Sequence, residues 1–190
     1  ELLAKIKFYL QNDEIREFCK VNNINFYRIK HNDNSKIKMI VDSNNIDVGL
    51  IGGAKIIHQS VIKLFKSGII NYHPGRIPET SGLDSLYRTI EKFVPPCVTA
   101  HLIDQKIDAG FFINEAIVEV FKDDTLELIS SRVLKKQIEI NQFVLKDVKD
   151  KKLNFPKINR PKKNKKLSVE EKEKIITYFE KWKNKFSVNL

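Results

Sequence analysis

The chain has 190 residues, of which 42% are hydrophobic and 31% are charged. This composition is that of a folded globular domain and excludes a disordered or fibrous protein. The net charge is +10, but residues 151–190 hold thirteen Lys or Arg against four Glu, whereas residues 1–150 hold 21 basic and 20 acidic side chains. The charge therefore belongs to a tail, and the body of the chain is almost neutral.

Apolar spacing predicts alternating helices and strands along the body of the chain. In chain order we expect a helix over 1–22, a strand over 24–29, a helix over 33–44, a strand over 46–51, a helix over 56–66, a strand over 68–72, a helix over 83–93, strands over 98–103 and 111–120, and a helix over 124–149. This alternation predicts an α/β fold with a mostly parallel, twisted sheet flanked by helices. Ligands then bind beyond the carboxyl ends of the strands.

The tail forms a second unit in sequence. Residues 159–166 are a charged linker, and Ser168 and Glu171 have the spacing of a capping box at the start of a helix. Four apolar residues follow at helical spacing: Ile175, Phe179, Trp182 and Phe186. We therefore divide the chain into a main domain over residues 1–150 and a basic linker with a C-terminal amphipathic helix over residues 151–190.

The cysteines and the hydropathy give expectations about location. Cys19 and Cys97 lie far apart and match no spacing of metal ligands, which fits a reducing compartment. No stretch approaches the roughly 18 apolar residues of a membrane span, and no signal peptide is recognisable. We expect a cytoplasmic protein with no metal and no membrane partner.

Polar residues concentrate in two predicted loops. The first loop follows a strand that carries Asn71 and His73, and the second follows a strand that carries His101 and leads to Asp104 and Asp108. In an extended strand Asn71 and His73 project to the same side. An amide that donates to an oxyanion, an imidazole that moves protons and a carboxylate that orients it can together run acyl transfer to an amine. No Ser or Cys lies at a nucleophile elbow, so direct attack by a substrate amine is the simpler route.

The same segments resemble the two signatures of the folate-dependent formyltransferases. Residues 70–78 read Ile-Asn-Tyr-His-Pro-Gly-Arg-Ile-Pro and are followed by Gly82, as in the pattern N-x-H-P-S/G-x-L/I-P…G. Residues 98–104 read Val-Thr-Ala-His-Leu-Ile-Asp, and residues 107–110 read Ile-Asp-Ala-Gly, as in V-T-x-H-x-x-D…L/I/V-D-x-G. Both blocks occur in the right order, and the resemblance covers about residues 46–145.

The resemblance implies a Rossmann-like formyltransferase domain over residues 1–150 that uses N10-formyltetrahydrofolate as cosubstrate. It places Asn71, His73 and Asp108 on the catalytic residues of the family. In the implied mechanism a neutral amine attacks the formyl carbon, Asn71 and protonated His73 stabilise the oxyanion, and Asp108 holds His73 and helps the proton reach the departing folate nitrogen. Two segments fall on the folate pocket: Gly53, Ala54, Lys55, Ile56 and Ile57, and Leu102, Ile103 and Asp104.

Several features depart from the family pattern. Arg76 stands where an apolar residue is usual, Ser81 precedes Gly82 where many members have Arg, and Pro-Pro-Cys over 95–97 replaces a more common approach that contains glycine. The family begins with a strand and a glycine-bearing loop that helps to bind the acceptor. Residues 1–30 contain no such loop, so we expect the chain to lack this first part of the domain.

The acceptor is left open by the sequence. Gly75 and the Gly-Leu-Asp-Ser run over 82–85 favour a nucleotide-linked amino sugar, a small anionic amine. Three alternatives remain: a glycinamide ribonucleotide formyltransferase, a formyltetrahydrofolate hydrolase, and a non-catalytic fragment or relative that binds folate or RNA. The oligomeric state also stays open, with a homodimer as one option.

The remaining histidines and the basic tail have simpler interpretations. We interpret His101 as a hydrogen-bonded core histidine near the site, and His31 and His58 as ordinary surface or helix-start residues. The tail is interpreted as a packed helix with a solvated basic face, with binding of substrate phosphates or of nucleic acid as alternatives. Phe179 and Trp182 lie on the apolar stripe rather than in position to stack on bases, so we do not expect nucleic acid as a partner.

Overall fold

The computed structural model describes residues 13–53, 55–104, 110–150, 155–159 and 164–188. Its helices are α1 (13–21), α2 (Asn34–Ser43), α3 (Gln59–Ile62), α4 (Ser85–Glu91), α5 (Leu126–Glu139), α6 (Asn141–Asp150), α7 (Val169–Ile176) and α8 (Phe179–Phe186). Its strands are β1 (Gly49–Leu50), β2 (Ile69–His73), β3 (Cys97–Leu102) and β4 (Phe111–Ile117).

The described strands form one sheet in the order β1-β2-β3-β4. β1 and β2 are parallel, whereas β2 pairs with β3 and β3 pairs with β4 in antiparallel fashion. The α/β architecture is confirmed, but this sheet is mixed rather than mostly parallel. The connection over residues 103–110 is one reason, because a parallel crossover needs about a dozen residues or more.

The hydrophobic core lies around β3, whose residues are buried at every position. α5 contacts β3 and α6 contacts β4. The tail contributes to the same core: Leu167, Ile175 and Trp182 are buried and belong to one cluster with the strand residues. The indole of Trp182 is fully buried and donates from Nε1 to the carbonyl of Val94, at 2.8 Å. The boundary at residue 150 stays a prediction, since residues 151–154 lie outside the described part.

Several elements differ from their predicted bounds. The helix expected over 124–149 is interrupted at Ile140, where α5 ends and α6 begins. Among the described residues, the strand expected over 24–29 joins no ladder, and the strand expected over 46–51 pairs at Gly49–Leu50. The helix expected over 56–66 is limited to α3. The part of the first predicted helix over residues 1–12 lies outside the described residues.

The tail helix begins where the sequence predicts. Ser168 accepts from the backbone N–H of Glu171, and the Glu171 carboxylate accepts from the backbone N–H of Ser168, which completes the capping box. The single predicted helix is divided into α7 and α8 by a turn at 177–178. None of the helices in the described ranges is long and apolar enough to cross a membrane.

Candidate active site

The two signature segments lie side by side as the neighbouring strands β2 and β3. Asn71 and His101 are direct partners across this pair, and Nδ2 of Asn71 lies 3.1 Å from Nε2 of His101. His101 is fully buried, as expected of a hydrogen-bonded core histidine beside the site. For the amide to donate, Nε2 of His101 must carry a lone pair. An amide nitrogen has two hydrogens, so this bond orients the Asn71 amide and leaves its second hydrogen for a ligand.

His73 ends β2 and is 97% buried, with a relative exposure of 3%. Its Nε2 lies 3.0 Å from the carbonyl oxygen of Thr80, and the hydroxyls of Thr80 and Ser85 lie 3.4 and 3.3 Å away. The Thr80 hydroxyl donates to the Arg76 carbonyl, and the Ser85 hydroxyl donates to the Gly82 carbonyl. A carbonyl oxygen can only accept, so Nε2 of His73 carries a proton. The loop thereby selects one tautomer of the imidazole.

The loop over residues 74–82 folds tightly against itself and against β3. The backbone N–H of Thr80 donates to the Arg76 carbonyl at 2.8 Å, and the Thr99 hydroxyl donates to the Gly75 carbonyl at 2.7 Å. A Cβ on Gly75 would overlap Oγ1 of Thr80. The signature position of Gly75 therefore has no room for a side chain in this chain.

Arg76, the unusual residue of the first signature, is paired with Glu115 on β4. Its Nε lies 3.0 Å from Oε2 of Glu115, and its terminal nitrogen also binds this carboxylate. The hydrogen bond to Glu115 raises the pKa of Arg76. The ion pair between Arg76 and Glu115 thus attaches the loop to β4, at a position where the formyltransferase signature usually has an apolar residue. Nearby Cys97 is buried, and burial raises the pKa of its thiol to about 12, which makes it a poor nucleophile at neutral pH.

A cavity of about 670 Å³ opens at Asn71, and we call it the Asn71 cavity. Its wall consists of Leu50, Ile51, Gly52, Gly53, Asn71, Tyr72, Pro74, Leu134, Gln137, Ile138 and Asn141. The Tyr72 hydroxyl donates to Oδ1 of Asn141 at 2.6 Å, and Nε2 of Gln137 donates to the Tyr72 carbonyl at 2.7 Å. Burial raises the pKa of Tyr72 to about 12, so the phenol stays neutral. None of the described lining side chains carries a charge at neutral pH.

A second cavity, of about 730 Å³, shares Pro74, Leu134 and Gln137 with the first. We call it the Tyr87 cavity, and its further lining residues are Asp84, Ser85, Leu86, Tyr87, Leu126, Glu127, Ser130, Ser131 and Val133. The described lining includes two carboxylates but no Lys or Arg. The two cavities therefore flank the Gln137 side chain and offer mostly neutral polar groups.

The first predicted folate segment reaches the Asn71 cavity at Gly53, which adopts a positive φ of 85° after β1. Lys55 and Ile56 are exposed, Ile57 is half-buried, and Ala54 lies outside the described residues. The Ile56 carbonyl accepts from two side chains, Nε2 of His31 at 2.9 Å and Nδ2 of Asn32 at 3.0 Å.

The turn that carries His31 and Asn32 thus anchors the predicted folate segment. Oδ1 of Asn32 also accepts from the backbone N–H of His58, at 3.0 Å, so one amide holds both sides of the segment. Sequence reasoning missed this role for His31 and Asn32, because nothing in the local sequence indicates a partner more than twenty residues away. His58 is a helix-start residue, as interpreted, since it caps α3 without a side-chain bond.

The second predicted folate segment lies at the end of β3. Leu102 is buried, Ile103 donates from its backbone to the Ile69 carbonyl, and Asp104 is half-buried. Gly110, with φ of 108°, lies so close that a Cβ would overlap the Leu102 carbonyl oxygen. Asp108 and its predicted contact with His73 lie outside the described residues. Within the described ranges, no group of three or more His, Cys, Asp or Glu is arranged to hold a metal ion.

The sequence of the chain is similar to those of known formyltransferases. The formyl transferase family model matches residues 7–145. The phosphoribosylglycinamide formyltransferase of Haemophilus influenzae is 29% identical over 98 residues, which are 51% of this chain and 46% of that protein. The chain thus spans about half the length of the curated relatives it matches.

Two solved structures share the fold. The phosphoribosylglycinamide formyltransferase from Anaplasma phagocytophilum superposes with a TM-score of 0.61 at 25% identity, over 70% of this chain and 68% of that chain. The formyltransferase PseJ from Anoxybacillus kamchatkensis, in complex with UDP-4,6-dideoxy-4-formamido-L-AltNAc and tetrahydrofolate, gives 0.59 at 24% identity, over 87% and 85%. The resemblance inferred from the two signatures is confirmed.

Proposed function

The chain belongs to the formyl transferase family, and we propose that it transfers a formyl group from N10-formyltetrahydrofolate to a primary amine of a small acceptor. The observation that carries this proposal is the hydrogen bond between Asn71 and His101, which joins the two signature strands at the mouth of a cavity. Gly53 of the proposed folate segment lines the same cavity, and its size suits the reacting ends of two small molecules.

In the proposed reaction the neutral amine attacks the formyl carbon to give a tetrahedral intermediate. The second hydrogen of the Asn71 amide donates to the oxyanion, and the bond to His101 prevents the amide from turning its oxygen toward that charge. The new C–N bond forms in this addition step; the intermediate then collapses, the bond from the formyl carbon to the folate nitrogen breaks, and one amine proton passes to that nitrogen.

We assign the proton transfer to His73 and Asp108. Because Nε2 of His73 is held by the Thr80 carbonyl, Nδ1 is the ring nitrogen through which a proton would move. Asp108 would stabilise the charged ring once Nδ1 has taken up the amine proton, and its assignment rests on the family resemblance. The second folate segment, from Leu102 to Asp104, is assigned to the cosubstrate on the same basis.

For the acceptor we propose a nucleotide-linked amino sugar. Neutral amide and phenol groups from Asn71, Tyr72, Gln137 and Asn141 line the Asn71 cavity and suit the hydroxyl and amide groups of a sugar. The A. kamchatkensis structure contains a formamido sugar nucleotide, and we extend that acceptor class to this chain. Glycinamide ribonucleotide is the second candidate acceptor, since the H. influenzae relative is named a phosphoribosylglycinamide formyltransferase.

The experiment is an assay for tetrahydrofolate release with nucleotide-linked amino sugars, with glycinamide ribonucleotide and without acceptor. Release that requires an amino sugar supports the proposal, and release that requires glycinamide ribonucleotide replaces the acceptor. Release without acceptor indicates a hydrolase, and folate binding without release indicates a non-catalytic relative. In the active case Asn71→Ala should lower kcat by about 100-fold or more, as for loss of one oxyanion donor. A homodimer and a cytoplasmic location stay predictions.

A further inference from the structure

The basic tail runs directly alongside the loop that holds His73. The backbone N–H of Asn164 donates to the Ser81 carbonyl at 3.0 Å, and its side-chain Nδ2 donates to the same carbonyl at 2.8 Å. Nδ2 also donates to the Glu79 carbonyl at 3.2 Å. One side chain thus bridges the carbonyls on either side of Thr80, the residue whose own carbonyl accepts from His73.

The fit between the two segments is close. Gly82 and Asn164 form a parallel β-bridge, and a Cβ on Gly82 would overlap the Asn164 carbonyl oxygen. Gly82 has φ of 100°, a conformation that glycine adopts without strain. Thr80 and Ser81 are fully buried beneath this contact. Movement of the loop would therefore disturb its contacts with the tail.

A second anchor follows immediately along both segments. The Asp84 carboxylate accepts from the backbone N–H of Leu167 at 2.8 Å and from Nζ of Lys172 at 2.6 Å. Burial works to raise the pKa of Asp84, but the bonds from Lys172 and Leu167 outweigh it and lower the pKa. Arg88 donates to the Lys165 carbonyl at 3.0 Å. The tail is thus fastened at both ends of residues 79–84.

We propose that Asn164 is a positioning residue, through which the tail holds the catalytic loop and fixes the tautomer of His73. Asn164 lies outside the segment that matches the family model, residues 7–145. The inference rests on the proposed function only in that it takes His73 as catalytic. With Asn164 in place, the Thr80 carbonyl faces Nε2 of His73, which assigns proton transfer to Nδ1.

The test compares Asn164→Ala with the wild-type full chain. Loss of the bridge should lower kcat by about tenfold, since small misplacement of a catalytic group has large effects on rate. The KM for the folate should stay within about twofold, because residues 55–58 are anchored by His31 and Asn32, whereas the Asn164 side chain binds the carbonyls of Glu79 and Ser81. Imidazole ¹⁵N NMR of the neutral His73 ring should show the Nε2–H tautomer in the wild type and a mixture in the variant.

The matched control is Ile129→Val, which trims a fully buried core side chain on α5. It lowers stability but should keep both kcat and the His73 tautomer. Equal losses in the two variants at similar unfolding free energy would mean that Asn164 acts only through stability, and the proposal would be wrong. Wild-type kcat and tautomer in a folded Asn164→Ala protein would also overturn it.

Two further outcomes keep the test decisive. If Asn164→Ala does not fold, Asn164→Ser keeps one shorter donor and should give an intermediate loss of kcat and partial mixing of tautomers, and unchanged values would contradict the proposal. If the wild type releases no tetrahydrofolate with any acceptor, the proposed function fails. The NMR comparison still decides whether Asn164 controls the His73 ring.

Discussion

Substitution of Gly75 by Ala is expected to disturb the loop that holds His73. The new Cβ would overlap Oγ1 of Thr80 and lie 3.1 Å from its Cβ and 3.4 Å from Cβ of Ser85. Thr80 is fully buried, and its hydroxyl cannot turn away without losing the 2.9 Å bond to the Arg76 carbonyl. The formyltransferase signature admits Ser at this position, so the intolerance would be specific to this chain.

The size of the effect follows from the two contacts. Overpacking of a buried site costs about 1–3 kcal/mol, and loss of a buried hydrogen bond costs about 1 kcal/mol. We therefore expect Gly75→Ala to lower the free energy of unfolding by about 2–4 kcal/mol, measured by urea denaturation with linear extrapolation. The rate of tetrahydrofolate release should fall as well, because Thr80 carries the carbonyl that binds His73.

A double-mutant cycle with Thr80→Ala tests whether overlap with the Thr80 hydroxyl causes the loss of stability in Gly75→Ala. Thr80→Ala removes the overlapping hydroxyl and should cost about 1–2 kcal/mol by itself. The double variant should be no less stable than Thr80→Ala, which corresponds to a coupling free energy of about 2–4 kcal/mol, the whole cost of Gly75→Ala. A loss below about 0.5 kcal/mol for Gly75→Ala, or additive losses in the double variant, would show that the loop has room at this position.

Three further predictions concern stability and substrate binding. The Arg132 guanidinium lowers the pKa of buried Asp124 below its ordinary value of 3.8, so the stabilisation is present above that pH and is lost as the pH falls through the lowered value. In Asp124→Asn the free energy of unfolding should therefore fall less steeply as the pH is lowered below about 4. An unchanged pH dependence would show that Asp124 is not the group responsible. Asn32→Ala should raise the KM for the folate severalfold with little change in kcat, because the Ile56 carbonyl loses a hydrogen-bond donor. An unchanged KM would mean that residues 53–57 do not bind the folate. Gln137→Ala should raise the KM for the acceptor and leave that for the folate unchanged in steady-state kinetics. A raised KM for the folate alone would mean that Gln137 contacts the folate and not the acceptor.

The sequence by itself determined the features that depend on neighbours along the chain. An apolar run over 68–72 and alternation over 98–103 predict the two strands that carry the signatures, and the strands occur at Ile69–His73 and Cys97–Leu102. Ser168 and Glu171 predict the start of the tail helix, where the capping box is formed. These features follow from local geometry, since side chains repeat every two residues in a strand and every 3.6 in a helix.

Only the tertiary structure decided which of these segments meet. The antiparallel pairing of β2 with β3 sets Asn71 opposite His101, thirty residues further along the chain. The contact of Asn164 with the loop joins residues more than eighty positions apart. No local pattern encodes such contacts, because they depend on how strands pair and how the tail packs on the core. The tail that carries most of the net charge of the chain thus contacts the loop that holds His73 through a neutral side chain, that of Asn164, as well as through the ion pair between Asp84 and Lys172.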